Sequence, residues 1–282
     1  MISWIHPRNR QLEEIAIKQR VLTALIALPL LLGLIAFANP FVFSLFLAAV
    51  IFLALLEFNR MGLASEHRPE QWLAACGGAS TVPFLYYQQG ALLLPVLSGV
   101  FLVLAMMFLF RLPNIVNVHH RIGWLCLGFF YLPLLLSHIW FLRQLESGRA
   151  WIFLVLLAVM LCDTCAYFFG SNFGKRKLYP AVSPNKSIEG GLGGLAGAVL
   201  AVLIAGVTFL PEIGVVDGVV VGLLLGVVGQ LGDLFESLLK RACEVKDSGS
   251  MIPGHGGLLD RLDSLLFAFA LAYYIARFGY GG

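Results

Sequence analysis

Apolar residues in this chain run in unbroken stretches of about twenty, the length a helix needs to cross a hydrocarbon core, and they do not alternate as a half-buried strand would. The stretches predict helices at approximately Val21 to Ala38, Phe41 to Leu56, Trp72 to Tyr87, Ala91 to Phe110 and Ile122 to Leu142. Four more follow at Trp151 to Gly170, Gly190 to Leu210, Val216 to Phe235 and Leu258 to Ala276, giving about nine. The third is the least apolar, because Gly77, Gly78, Thr81 and Pro83 dilute it; as a re-entrant segment it would leave eight spans.

Composition turns these helices into membrane spans. Of 282 residues, 59% are hydrophobic and 12% charged, against about 25% charged in a soluble domain. In lipid every backbone polar group must be satisfied internally, so long apolar runs imply helices, and the expected fold is an all-α, polytopic integral membrane protein. A net charge of +3 without a basic stripe argues against nucleic acid as a partner. Five cysteines, four of them in apolar stretches, imply no disulfide framework; the Cys162–Cys165 pair stands without a second pair and reads as small-residue packing. The first apolar run has basic residues before it and Ala36-Phe37-Ala38 after it, like a signal sequence, but its core is long and a second run follows at once, so it is expected to remain a helix.

Nine spans with a cytoplasmic N-terminus place 16 of the 19 Lys and Arg residues in cytoplasmic segments, leaving Arg143, Arg149 and Arg277 outside, together with the C-terminus. One membrane domain over residues 1–282 is expected, with 1–150 mainly scaffold helices and 151–282 the catalytic helices and loops. The second part is glycine-dense: Gly190/Gly194, Gly193/Gly197 and Gly222/Gly226 have the spacing that lets helix backbones approach, within one chain or across a homodimer. The short N-terminal segment points to a bacterial inner-membrane protein.

Ten of the sixteen acidic residues follow residue 160, and ionisable groups at or inside span ends are functional candidates. Asp233, Glu236, Ser237, Lys240 and Arg241 share a helical face that continues the eighth span, combining metal-binding oxygens with phosphate-binding cations. Lys246-Asp247, a glycine-rich turn containing His255, and Asp260-Arg261-Leu262-Asp263 follow. Asp260 and Asp263 either cap the ninth helix or, facing Asp233 across a hairpin, hold a hard divalent cation. Upstream, Asp163 lies deep in the sixth span, and Lys175-Arg176-Lys177 with Ser183-Pro184-Asn185-Lys186-Ser187 precedes a glycine-rich helix start suited to a di- or triphosphate.

The run Ser237-Leu238-Leu239-Lys240-Arg241, Lys246-Asp247, Pro253-Gly254-His255-Gly256-Gly257 and Asp260-Arg261-Leu262-Asp263 resembles the signature of phosphatidate cytidylyltransferases, or CDP-diacylglycerol synthases. Asp163 to Tyr167 and Ser183 to Gly190 resemble the upstream region of the same family, so the likeness covers roughly residues 160–264. Cys165, Ser171 and Asn185 depart from it without removing a carboxylate or a lysine. The resemblance implies CTP and phosphatidic acid as partners beside membrane lipids, CDP-diacylglycerol and pyrophosphate as products, and Mg2+ as cofactor, with room for a second cation. It implies catalytic roles for Asp233, Lys240, Asp260 and Asp263, and metal binding by Asp163, Asp233 and Asp260. Substrate binding falls to Lys175, Ser183, Lys186, Ser187, Ser237, Arg241, Lys246, His255 and Arg261. A secondary transporter would instead set charges at the bilayer midplane, and a recruiting scaffold would leave the Asp and Lys spacing without a purpose.

Overall fold

The computed structural model describes residues 25–63, 68–88, 93–111, 117–252 and 256–281. The chain forms α1 (Leu25–Phe37), α2 (Pro40–Gly62), α3 (Arg68–Gln88), α4 (Leu93–Arg111), α5 (Val118–Arg143) and α6 (Gly148–Phe173). A short hairpin, β1 (Lys177–Tyr179) and β2 (Ser183–Ser187), precedes α7 (Ile188–Thr208), α8 (Val215–Ala242) and α9 (Leu259–Gly279). Each helix among the described residues coincides with one of the apolar stretches. Six of them, α2 and α5 to α9, are long and apolar enough to cross a membrane, whereas α1 and α4 are shorter apolar helices over the described residues. Interrupted by Gly77, Gly78 and Pro83, α3 does not reach that standard, so six of the nine expected spans meet it. The basic residues Arg8, Arg10, Lys18 and Arg20, on which the expected orientation leans, lie outside the described residues, as does His255.

Two differences from the pattern bear on the site. One is that α2 runs past its apolar stretch to Gly62, six residues beyond Leu56, while α8 continues through its charged turns to Ala242 as the shared face of Asp233 to Arg241 requires. With 28 residues α8 is about 42 Å long, against a hydrocarbon core of about 30 Å. Its last turns therefore carry charge beyond the lipid. The other difference is the antiparallel hairpin, which pairs Lys177 with Ser187 and Tyr179 with Ser183 and is too short and polar to register as strands in the sequence.

Packing in the C-terminal half depends on glycine. A Cβ at Gly197 would stand 2.6 Å from the Leu161 carbonyl oxygen, one at Gly194 3.1 Å from that of Cys162, and one at Gly222 2.5 Å from the Cα of Val199. The GxxxG seams thus join α7 to α6 on one side and α8 on the other. Ser187 caps α7 by accepting the Gly190 N–H at 3.1 Å.

In the N-terminal half, Trp124 of α5 stacks on Phe58 of α2 with ring centroids 4.4 Å apart and donates to the Phe58 carbonyl. Arg143 was expected in an outer loop; it is 7% exposed, donating to the Ile35 and Ala38 carbonyls at the end of α1 and lying 4.1 Å from the Phe43 ring. A helix end with orphan carbonyls inside the bundle accounts for that burial.

Gly222→Leu should lower stability by about 1–3 kcal/mol through overpacking. Gly99→Ala, with nothing within 4 Å of the added Cβ, should leave it unchanged or slightly raised. Thermal unfolding of the two variants in the same detergent checks the contrast.

Candidate active site

Three helices and the hairpin enclose a cavity of about 480 Å³, lined by Asp163 and Tyr167 of α6, Lys186 and Ser187 of β2, and Gln230 and Asp233 of α8 among others. Its geometry follows from the glycine seams, because only close α6–α7 contact lets the hairpin fold back over α6. A Cβ at Gly170 would meet the Ser187 hydroxyl at 3.2 Å. Gln230 closes the base of the cavity, donating to the Gly191 carbonyl at 3.0 Å.

The Lys186 ammonium stands 2.5 Å from Asp233, each side chain being 28% exposed. Ser237, one turn on, donates to Asp233 at 3.5 Å. Asp163, Asp233 and Asp263 lie near enough to act on one another's charge, and Arg261 reaches Asp163 in the same way. Asp163 thus lies in the field of two cations, Lys186 and Arg261.

On the neighbouring face of α8, Glu236 is fully buried and pairs with Lys240 at 3.0 Å, and Lys240 pairs with Asp260 of α9 at 2.7 Å. Asp260 also accepts the backbone N–H groups of Gly257 at 2.9 Å and Ser248 at 3.1 Å. Asp260 thus holds the loop that precedes α9, while the N-cap position, Leu258, has no side-chain cap bond. Asp263 accepts the Ser264 N–H at 2.7 Å. Arg241 directs two N–H groups to the Val182 and Val245 carbonyls, tying the hairpin turn to the loop after α8.

The structure therefore resolves the polar stripe of α8 into two groups. Asp163, Lys186, Ser187 and Asp233 line the cavity, with Ser237 bonded to Asp233 behind it, while Lys240 and Asp260 belong to the buried network beside it. Lys175 lies where its backbone N–H, with that of Arg176, donates to the Glu189 carboxylate at the start of α7. Lys246 is exposed in the loop after α8, Ser183 begins β2, and Arg261 sits in the first turn of α9.

Two carboxylates stand out that the spacing argument did not assign. Glu236 was legible as part of the α8 stripe but not as the buried centre of a network. Glu57 of α2, 3% exposed, accepts from the Ser248 hydroxyl at 2.6 Å and from the Leu258 N–H at 2.8 Å. The signal for Glu57 was a carboxylate on a membrane helix, hidden because the apolar stretch stops one residue before it.

The donors suit a hard divalent ion: Asp163 and Asp233 present carboxylate oxygens to a cavity that also holds a lysine, and nitrogen or sulfur ligands are not among them. Among the described residues no three His, Cys, Asp or Glu side chains are gathered as a preformed cage. An ion such as Mg2+ needs no such cage, since one or two carboxylates and substrate phosphates suffice to hold it. The arrangement sets a cation, Lys186, beside two carboxylates at one cavity.

A family model described as the cytidylyltransferase family matches residues 18–278. A protein of Staphylococcus saprophyticus named phosphatidate cytidylyltransferase is 33% identical over 264 residues, covering 90% of this chain and 96% of the relative. One of the same name from Bacillus subtilis is 43% identical over 157 residues, 55% of this chain and 58% of that relative, so the chain spans under two thirds of its length. A Staphylococcus aureus protein, also so named, is 44% identical over 138 residues, covering 48% of this chain and 52% of its own length.

Replacing Lys240 by Met leaves Glu236 buried without its cation, which should cost about 3–5 kcal/mol. Glu236→Leu combined with Lys240→Met should recover most of that loss, since an apolar pair of similar volume is tolerated where half an ion pair is not. Thermal unfolding of the single and double variants tests the assignment.

Proposed function

The chain belongs to the cytidylyltransferase family, and from that membership we propose that it transfers the cytidylyl group of CTP to phosphatidic acid, releasing pyrophosphate and forming CDP-diacylglycerol. The reaction is placed at the cytoplasmic face of a bacterial inner membrane, where a lipid phosphate at the interface meets a cytosolic nucleotide. The observation that carries the reading is the cavity in which Lys186 and Asp233 stand 2.5 Å apart beside Asp163, next to the Lys240–Asp260 pair.

Chemically, a phosphate oxygen of phosphatidic acid forms a bond to the α-phosphorus of CTP as the bond from that phosphorus to the α–β bridging oxygen breaks. Pyrophosphate takes the electron pair of the broken bond. Two anions must be brought together, so the protein's contribution is positioning and charge neutralisation more than proton transfer. Lys186, at the cavity, neutralises phosphate charge, and an incoming phosphate competes with Asp233 for it. Lys240, between Glu236 and Asp260, keeps the adjoining carboxylates fixed and adds positive charge at their surface. Lys246 and Arg261, on the loop and the first turn of α9, extend the cationic rim. Asp163 and Asp233 would hold Mg2+, which would polarise the phosphates and offset their charge. Asp260 already accepts from Lys240 and two backbone N–H groups, which leaves Asp163 and Asp233 the more accessible carboxylates.

Purified protein in detergent should release pyrophosphate only when CTP, phosphatidic acid and Mg2+ are all present, and chelation with EDTA should abolish release. Asp233→Asn should lower kcat by about a hundredfold or more at saturating Mg2+, the scale of loss of an electrostatic transition-state contact. Near-normal turnover by that variant would remove Asp233 from the metal site. Folded protein that binds CTP yet releases no pyrophosphate would overturn the reaction.

A further inference from the structure

The segment from residue 243 to 258 joins α8 to α9 and carries much of the glycine-rich signature, yet over its described residues it has little regular structure beyond one bridge between Ile252 and Gly256. Holding such a loop in one conformation opposes roughly 1–2 kcal/mol of backbone entropy per residue, so its anchors matter. Two carboxylates grip it at the same two places. Asp260 accepts the backbone N–H of Ser248 and of Gly257 from within the loop's own hairpin. Glu57 accepts the Ser248 hydroxyl through Oε1 and the Leu258 N–H through Oε2, from a helix 191 and 201 residues away in sequence.

The glycines of the loop are shaped around Glu57. A Cβ at Gly249 would lie 2.5 Å from Glu57 Oε1, and one at Gly257 would lie 2.8 Å from Glu57 Cδ. Gly256, at φ +83°, occupies the left-handed region and turns the chain back toward α9. A buried carboxylate in an apolar bundle is costly unless its oxygens are hydrogen-bonded, and here both oxygens meet loop donors.

We infer that Glu57 is a positioning residue for the nucleotidyl transfer: by clamping Ser248 and Leu258 it fixes the loop that presents Lys246 and Asp247 and that holds the Asp260 carboxylate against Lys240. The inference rests on the proposed reaction for its kinetic consequence, though not for the clamp itself. Glu57 acts through the loop, and its part in the site would be geometric. Charge on Glu57 is secondary to reach, since the Gln amide can donate to the Ser248 hydroxyl while its carbonyl accepts from Leu258.

Hydrogen exchange and kinetics of three variants of the full chain in detergent decide it. Glu57→Leu removes both bonds without placing a charge in the core; exchange of amides in the peptide covering residues 244–259 should quicken about tenfold or more while the other helices keep wild-type protection. Its kcat should fall about a hundredfold, as expected for a site displaced by an ångström, in protein whose thermal midpoint remains close to wild type. Glu57→Gln should restore slow exchange and a kcat within about threefold of wild type, the conservative amide keeping both contacts. Ser248→Ala should quicken exchange in the same peptide, with an effect that does not add to that of Glu57→Leu. Wild-type exchange of the loop in Glu57→Leu and in Ser248→Ala would overturn the clamp. Activity lost only in proportion to unfolded protein would overturn the positioning role and leave Glu57 a packing residue. Should the wild-type protein release no pyrophosphate, the reaction fails while the exchange comparison still decides the clamp. Should Glu57→Leu fail to fold, Ser248→Ala against Glu57→Gln carries the same comparison.

Discussion

Glu236 lies wholly out of solvent on α8, where an ionised carboxylate is tolerated only beside a cation; Lys240 stands 3.0 Å from it and is held in turn by Asp260 at 2.7 Å. That chain of charge fixes more than one contact. It sets the rotation of α8, because Glu236 and Lys240 must face α9. It sets where α9 starts, because Asp260 lies in its first turn. It also sets the loop between them, because Asp260 draws in the Ser248 and Gly257 N–H groups. With α8 so rotated, Asp233, one turn earlier, faces the hairpin and meets Lys186.

The cavity beside this network is a product of close packing. Gly190, Gly193, Gly194 and Gly197 on α7 lie against Ala166, Phe169, Cys162 and Leu161 of α6, where any added Cβ would be in conflict with them. Without an apolar driving force between helices in lipid, such close contact supplies the dispersion that holds α6 and α7 together. Its functional consequence is placement: Asp163 on α6, Lys186 on the hairpin and Asp233 on α8 come to one cavity only if the backbones approach this far. Small residues in the seam and charged residues in the cavity are thus two aspects of one arrangement.

The N-terminal helices meet the site through α2 and α5. Trp124, Phe58 and Tyr131 form an aromatic layer between α2 and α5, and Tyr131 continues it to Phe235 on α8 and Phe267 on α9. Glu57 precedes Phe58 in α2, so the packing that seats the aromatic layer also holds the carboxylate under the signature loop.

The succession of helices was readable in the sequence because a run of about twenty apolar residues has few fates other than a helix in lipid. Glycine spacing announced the α6–α7–α8 seams, and helical periodicity placed Asp233, Lys240 and Asp260 as chemistry-bearing residues. The end of α2 lies beyond its apolar run, since charged residues at a membrane surface look like loop whether or not the helix continues through them, whereas the shared face of Asp233 to Arg241 carries α8 past its own. The hairpin escaped notice because strands of three and five residues containing Pro184, Asn185 and Lys186 show no alternation. Local spacing determines which side chains share a helix face, because the 3.6-residue period is a property of the backbone alone. Which carboxylate meets which cation was decided by tertiary structure. The partners of Lys186, Asp260 and Glu57 lie on other elements, and only the packing of those elements brings such groups within a few ångströms.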